Sequence, residues 1–228
     1  ECQRIADAVN RAGVKFCISF PYRTRPECLY AKKAVDEGLL GRLTFFRVRV
    51  AHNGSSGGWL PPHFYDPVTT GGGAMMDLGA HPMYLARWIG GRPKRIVSTF
   101  NHVTDHEIED NAVSVIEFEN ECIGVAETSF VSSYSPFSFE LSGTEGSLFV
   151  GGPDEKSVRI RSSKVNGGEW VTPELPEALP SPLRIWVEGI LQNKPIPFGL
   201  EEGTQLTELM QYAYASHKSG SQVAIPRR

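Results

Sequence analysis

The chain has 228 residues, a formal net charge of −3, 40% hydrophobic and 21% charged residues. This composition excludes a disordered chain and gives no electrostatic reason to expect a nucleic-acid partner. No apolar run approaches the roughly 20 residues that cross a bilayer, and the N-terminus lacks the basic-then-apolar pattern of a signal peptide, so no membrane partner is expected and the cytoplasm is the default location.

The first residue is Glu1, and a helical pattern starts at once. The expectation is that the sequence begins inside a domain whose first part lies upstream. Residues 2–12 place Ile5, Ala8, Val9 and Ala12 on one helical face, and Gly13 supplies a stop. Residues 14–20 form a short apolar run rich in β-branched and aromatic side chains, which predicts a strand buried on both faces. Helix followed by buried strand is the rhythm of a parallel α/β sheet, of which these residues would be the last unit.

Pro21 and Pro26 bracket the basic segment Tyr22-Arg23-Thr24-Arg25, at the strand end where open α/β sheets bind ligands. A helix is predicted over 27–37, with Pro26 as its early residue and Gly38 or Gly41 as its terminator. Residues 43–51 alternate Phe45, Arg47 and Arg49 with Phe46, Val48 and Val50, the signature of a half-buried strand. Residues 53–72 are rich in Gly, Ser and Pro yet carry Trp59, His63, Phe64, Tyr65 and Asp66. Loops this long tend to be functional or disordered, and the aromatics argue against disorder.

Residues 71–81, Gly-Gly-Gly-Ala-Met-Met-Asp-Leu-Gly-Ala-His, join a glycine run to a helix predicted over 74–89. That helix would put Asp77 and His81 one turn apart on one face. A carboxylate beside an imidazole sets the tautomer and basicity of a proton-transferring histidine; taken alone, the spacing more often marks a solvated helical pair. The helix is apolar on most sides and should be buried.

After Gly90-Gly91 the pattern turns to strands at 95–100, 111–118, 122–130, 137–142, 147–150, 158–161 and 169–172, several separated by short turn signals. Helices are predicted at 181–192 and 200–218. The fold class is therefore α+β/α/β: a largely antiparallel open sheet packed on helices, preceded by a remnant of a parallel Rossmann-type sheet. Cys2, Cys17, Cys28 and Cys122 show no Cys-x-x-Cys spacing and read as free, mostly buried thiols.

GGGAMMDLGAHPMYLARWIGG at 71–91, with AGVKFCISFPYRTRP at 12–26, DEGLLGRL at 36–43, SGTEGSL at 142–148 and YASHKSGSQVAIP at 214–226, resembles the Gfo/Idh/MocA oxidoreductases over essentially the whole chain. The resemblance implies an N-terminal Rossmann domain binding NAD or NADP, ending here at residues 1–24, and a C-terminal α/β domain at 25–228 that binds substrate on one side and makes subunit contacts through its sheet. It implies oxidation or reduction of a carbinol or carbonyl carbon in a sugar, inositol or similar polyol. His81 then matches the acid/base histidine and Asp77 the carboxylate two positions before Gly79. Arg23, with Tyr22 beside it, falls where the chain approaches the nicotinamide. Trp59 and Tyr65 are candidates to stack on a sugar ring, with packing on the core as the alternative reading of each.

Two marks of the family are missing from these residues. No Gly-x-Gly-x-x-Gly run occurs, nor the Glu-Lys-Pro motif whose lysine joins the histidine, and Pro21 stands where many members have Asn. The expected activity is that of an NAD(P)-dependent dehydrogenase in the full-length protein, with this portion inactive alone. The alternatives are a non-catalytic sugar-binding or dimerising module and, with less support, a metal enzyme using Asp77, His81, His102 and His106. No metal site is assigned.

Overall fold

The computed structural model describes residues 1–153 and 157–227. Helix α1 (Cys2–Ala12) leads through an extended stretch to a 3-10 turn at Pro21–Thr24 and helix α2 (Pro26–Asp36). Strand β1 (Leu43–Ala51) follows, then a 3-10 turn at Pro62–Tyr65 and the short α3 (Pro67–Thr70). Helix α4 (Ala80–Gly90) precedes β2 (Pro93–Asn101), β3 (Asn111–Phe118) and β4 (Ile123–Ser129). Then come β5 (Ser138–Gly143), β6 (Gly146–Gly151), β7 (Val158–Ser162), α5 (Pro182–Leu191), α6 (Leu200–Ser219) and β8 (Val223–Ala224).

The strands make one sheet in the order β7-β6-β5-β1-β4-β3-β2-β8. The β1–β4 pair is parallel and the other pairs are antiparallel. The period-two pattern decides the faces. Phe46, Val48, Ile96, Ile116, Ala126, Phe139 and Leu148 point into the core, and α4 and α6 pack over that face. On α4, Met83, Leu85, Ala86 and Ile89 are buried; each large apolar side chain so removed from water contributes about 1.5–3 kcal/mol. Gly124 leaves room for Phe46, since a Cβ there would stand 2.3 Å from the Phe46 ring.

Four sequence expectations change. Residues 14–20 form no strand, and Val14 is exposed rather than buried on both faces. A strand exists through its ladder, and no described strand runs beside this stretch; it is tied across the fold by Ile18 N–H to the Phe198 carbonyl at 2.8 Å and by Trp186 Nε1–H to the Lys15 carbonyl at 3.0 Å. The helix expected over 74–89 begins only at Ala80. Residues 169–172 reduce to a single bridge, Val171 with Ile160. The two-residue β8, unforeseen, extends the sheet beyond β2.

Candidate functional site

The shortened α4 sets the site. Upstream of it the backbone bonds span different intervals: Asp77 N–H to the Gly73 carbonyl, Gly79 N–H to Ala74 and His81 N–H to Leu78. Spans of four, five and three residues do not advance the chain by a constant angle, so the one-face geometry expected for Asp77 and His81 is lost. The turn is held by Glu109, a buried carboxylate that accepts from Gly73 N–H at 2.9 Å, Met75 N–H at 3.1 Å and the Tyr214 hydroxyl. The glycines serve this close packing, because a Cβ on Gly73 would lie 2.0 Å from the Glu109 carbonyl oxygen.

His81 and Asp77 consequently have different partners. His81 Nδ1 lies 3.2 Å from the Tyr84 hydroxyl, which also accepts the Tyr22 N–H at 3.1 Å. The Tyr22 ring stands edge-on to His81 at 5.2 Å and against Phe137 at 4.7 Å, with the Arg25 guanidinium 4.1 Å above it. Burial, and next the positive charge of Arg25, push the His81 pKa down to about 4. At neutral pH the imidazole is uncharged.

Asp77 has His52 within electrostatic range. Burial raises the Asp77 pKa and the nearby His52 opposes that rise. His52 follows directly after β1; its Nδ1 accepts from Gly54 N–H at 3.0 Å, and its ring stacks on Phe130 at 5.2 Å. Burial pushes its pKa down, with Asp77 acting the other way.

Of the other residues singled out, Trp59 packs 4.7 Å from His52 and donates from Nε1 to Asn53 at 3.3 Å, which brings it into the His52–Asp77 group. Tyr65 stacks on His106 at 3.6 Å and packs on a small cluster with Ile108 and Phe130; no contact joins it to His81. Arg23 turns to Trp88, Phe198 and Phe20, with ring centroids at 4.9, 5.0 and 5.8 Å. Among the described residues no three His, Cys, Asp or Glu side chains gather as a metal-holding group. The loop carrying His102 and His106 is organised by buried Asp110, which accepts from Val103 and Thr104 N–H.

Sequence reasoning did not single out Tyr84, Arg25, Phe137, His52 and Glu109. Tyr84 had a signal, since it lies three residues beyond His81 and shares its helical face. The others reach the site from separate elements, and no spacing rule links them.

A profile of the GFO/IDH/MocA C-terminal domain matches residues 28–149. The chain is 27% identical over 171 residues to scyllo-inositol 2-dehydrogenase (NAD(+)) of Bacillus subtilis strain 168, covering 72% of this chain and 48% of that protein. It is 26% identical over 175 residues to levoglucosan dehydrogenase of Pseudarthrobacter phenanthrenivorans, covering 65% of this chain and 45% of that one. The chain thus spans about half the length of these curated relatives. Among solved structures it is similar to an NAD binding oxidoreductase from Klebsiella pneumoniae, with a TM-score of 0.85, 20% identity and coverage of 100% of this chain and 70% of that one. A levoglucosan dehydrogenase in complex with NADH and levoglucosan has a TM-score of 0.81 at 20% identity, covering 94% of this chain and 67% of that one; at such identities the likeness carries the fold alone.

Proposed function

The chain belongs to the GFO/IDH/MocA family, and from that premise we propose that it is the substrate-side portion of an NAD(P)-dependent dehydrogenase acting on the CH–OH or carbonyl group of a sugar, inositol or similar polyol. The observation that carries the reading is the buried, uncharged His81 held by Tyr84 and faced by Tyr22. The relatives named as inositol and levoglucosan dehydrogenases support the substrate class.

The donor set fits the reacting end of a nicotinamide site and not its phosphate cradle, because no Gly-x-Gly-x-x-Gly run occurs in the 228 residues. NAD or NADP, when bound, supplies the hydride acceptor or donor. The chain's own residues handle the proton. Nδ1–H of His81 donates to Tyr84, whose oxygen also receives Tyr22 N–H, and Nε2 is left to take the proton of a substrate hydroxyl. In reduction the same nitrogen returns it. Tyr22 is assigned to the cofactor side, while its neighbour Arg23 turns instead to Trp88, Phe198 and Phe20. Asp77 and Trp59, grouped around His52, bind substrate hydroxyls and a ring face; Tyr65 is the outer member of that set.

The same reading divides the chain at residues 1–24, the end of a dinucleotide-binding domain, and 25–228. Helix α1 buries none of its residues, and Ile5 and Val14 are exposed; this apolar surface is where the cofactor domain packs. The 228 residues alone are then inactive and do not bind NAD(P) tightly, which calorimetry checks directly. Stoichiometric NAD(P) binding by this chain overturns that part of the reading.

A homo-oligomer through the open sheet face completes the proposal. Phe45 and Ile123, paired neighbours on β1 and β4, are exposed there with Val113 and Val115 of β3. Beside them Glu127 is held bidentately by Arg47 at 2.7 and 2.9 Å and by Arg49 at 2.8 Å. An apolar ridge with its charges already paired suits a second copy of the same face. It is also the observation that favours a purely dimerising module; the decisive test is turnover of a polyol panel with both cofactors by the whole protein.

A further inference from the structure

A cavity of about 310 Å³ lies among the Pro21–Thr24 turn, α2, α4 and α6, with Tyr84, the partner of His81, in its wall. Phe20, Trp88 and Tyr84 give it aromatic sides, and Arg23, Arg87 and Glu202 give it charge. Nothing in the proton-transfer scheme uses it.

The arginines are the unusual part. Three rings cover the faces of the Arg23 guanidinium. Ring faces satisfy the positive charge in part and leave the N–H edges wanting acceptors. Its Nε is enclosed without a partner, so the edge turned to the cavity is where an acceptor can approach. Among the described residues no carboxylate is in salt-bridge contact with Arg23 or Arg87; Glu202 acts electrostatically on the first, and Glu201, Glu208 and Glu119 on the second. Glu202 is engaged by Gly199 N–H at 2.9 Å, and the Lys32 that also lines the cavity is paired with Asp36. Burial lowers the pKa of both arginines, and the carboxylates in electrostatic range oppose that fall.

We propose that this cavity binds a phosphate-type oxyanion, free or as the phosphoryl group of a small metabolite, between Arg23 and Arg87. Both arginines line this one cavity, a guanidinium fork suits an oxyanion, and the aromatic walls accept an organic body. The site does not depend on the assignment of His81.

Calorimetry of the 228-residue chain with inorganic phosphate, at ionic strength held constant with chloride, tests it. One saturable site per chain is expected. Arg87→Gln should weaken it about tenfold or more, and Glu202→Gln, which keeps an acceptor for Gly199 N–H, should tighten it roughly threefold by removing a repelling charge. These two variants leave the packed Arg23 intact, so misfolding does not blur the result. Stronger binding of glycerol 3-phosphate than of phosphate supports a phosphorylated metabolite, and equal binding supports free phosphate. The proposal is overturned by no saturable binding of either probe, by binding that neither variant changes, or by displacement of phosphate by NADH, which would return the cavity to the dinucleotide.

Discussion

Tyr84 places its hydroxyl 3.2 Å from His81 Nδ1, one turn along the same helix, and the same oxygen receives the Tyr22 N–H at 3.1 Å. One phenol thus ties the histidine to the segment that faces it from another element. Tyr84→Phe removes that oxygen without opening a cavity. It leaves a part-buried N–H and an imidazole nitrogen unpaired, so a stability loss of about 1–3 kcal/mol is expected in chemical denaturation. In the whole protein kcat should fall about tenfold with little change in KM, and nitrogen NMR should show a changed tautomer balance at His81. An unchanged tautomer balance would remove Tyr84 from this role.

His81→Ala removes the proposed proton acceptor. The whole protein should lose about 10²–10⁴-fold in kcat in a nicotinamide absorbance assay, while hydride-transfer geometry is left in place. Near-normal kcat would mean that another group carries the proton.

The low pKa of His81 has a stability consequence with a definite sign. The unfolded imidazole takes up a proton below about 6.5, whereas the folded one does so only at about 4. Between those values the unfolded state binds more protons, so this contribution is fully present above the upper value and is lost as pH falls toward the lower one. Its size is on the order of 2–3 kcal/mol. His52, lowered by burial, adds in the same direction, and Asp77, raised by burial, opposes it. Titration of the His81 ring proton by NMR should give a midpoint near 4; a midpoint near 6.5 would contradict the buried geometry.

Glu109 should prove structural. Glu109→Ala leaves the N–H groups of Gly73 and Met75 and the Tyr214 hydroxyl without their acceptor, a loss of roughly 2–5 kcal/mol. Gly73→Ala forces a Cβ against the Glu109 carbonyl and should cost at least about 1–3 kcal/mol. Both are read from denaturation midpoints, and a neutral effect of either would show that the turn before α4 is not held from this side.

The sheet face can be tested apart from the chemistry. Ile123→Lys puts an unpaired charge on the exposed apolar ridge. Light scattering should show the wild type above monomer mass and the variant shifted toward it, with the thermal midpoint of the isolated chain little changed. A wild-type monomer at all concentrations would dismiss this interface.

Much of the framework was legible because local patterns and tertiary burial agreed. The period-two runs at Leu43–Ala51 and Asn111–Phe118 became strands with those bounds, and Gly13 and Gly220 end their helices in left-handed conformation, at φ of 62° and 63°. Where a segment depended on a neighbour, local pattern failed. Residues 14–20 have strand composition and no described ladder partner, and residues 74–79 have helical composition but are drawn into a turn by Glu109, more than thirty positions away.

The amino-acid sequence by itself determined the fold class, the buried helix bearing His81 and the family, because these rest on periodicity and on residues close together in the chain. The tertiary structure alone decided the partners. It took Asp77 out of the helix that carries His81, joined His81 to Tyr84, Tyr22 and Arg25, and brought Asp77 within electrostatic range of His52. It also turned Arg23 away from its neighbour Tyr22 and into a cavity of its own. The physical reason is that a side chain's direction depends on where its helix or turn starts, and that start is fixed by hydrogen bonds from distant residues such as Glu109.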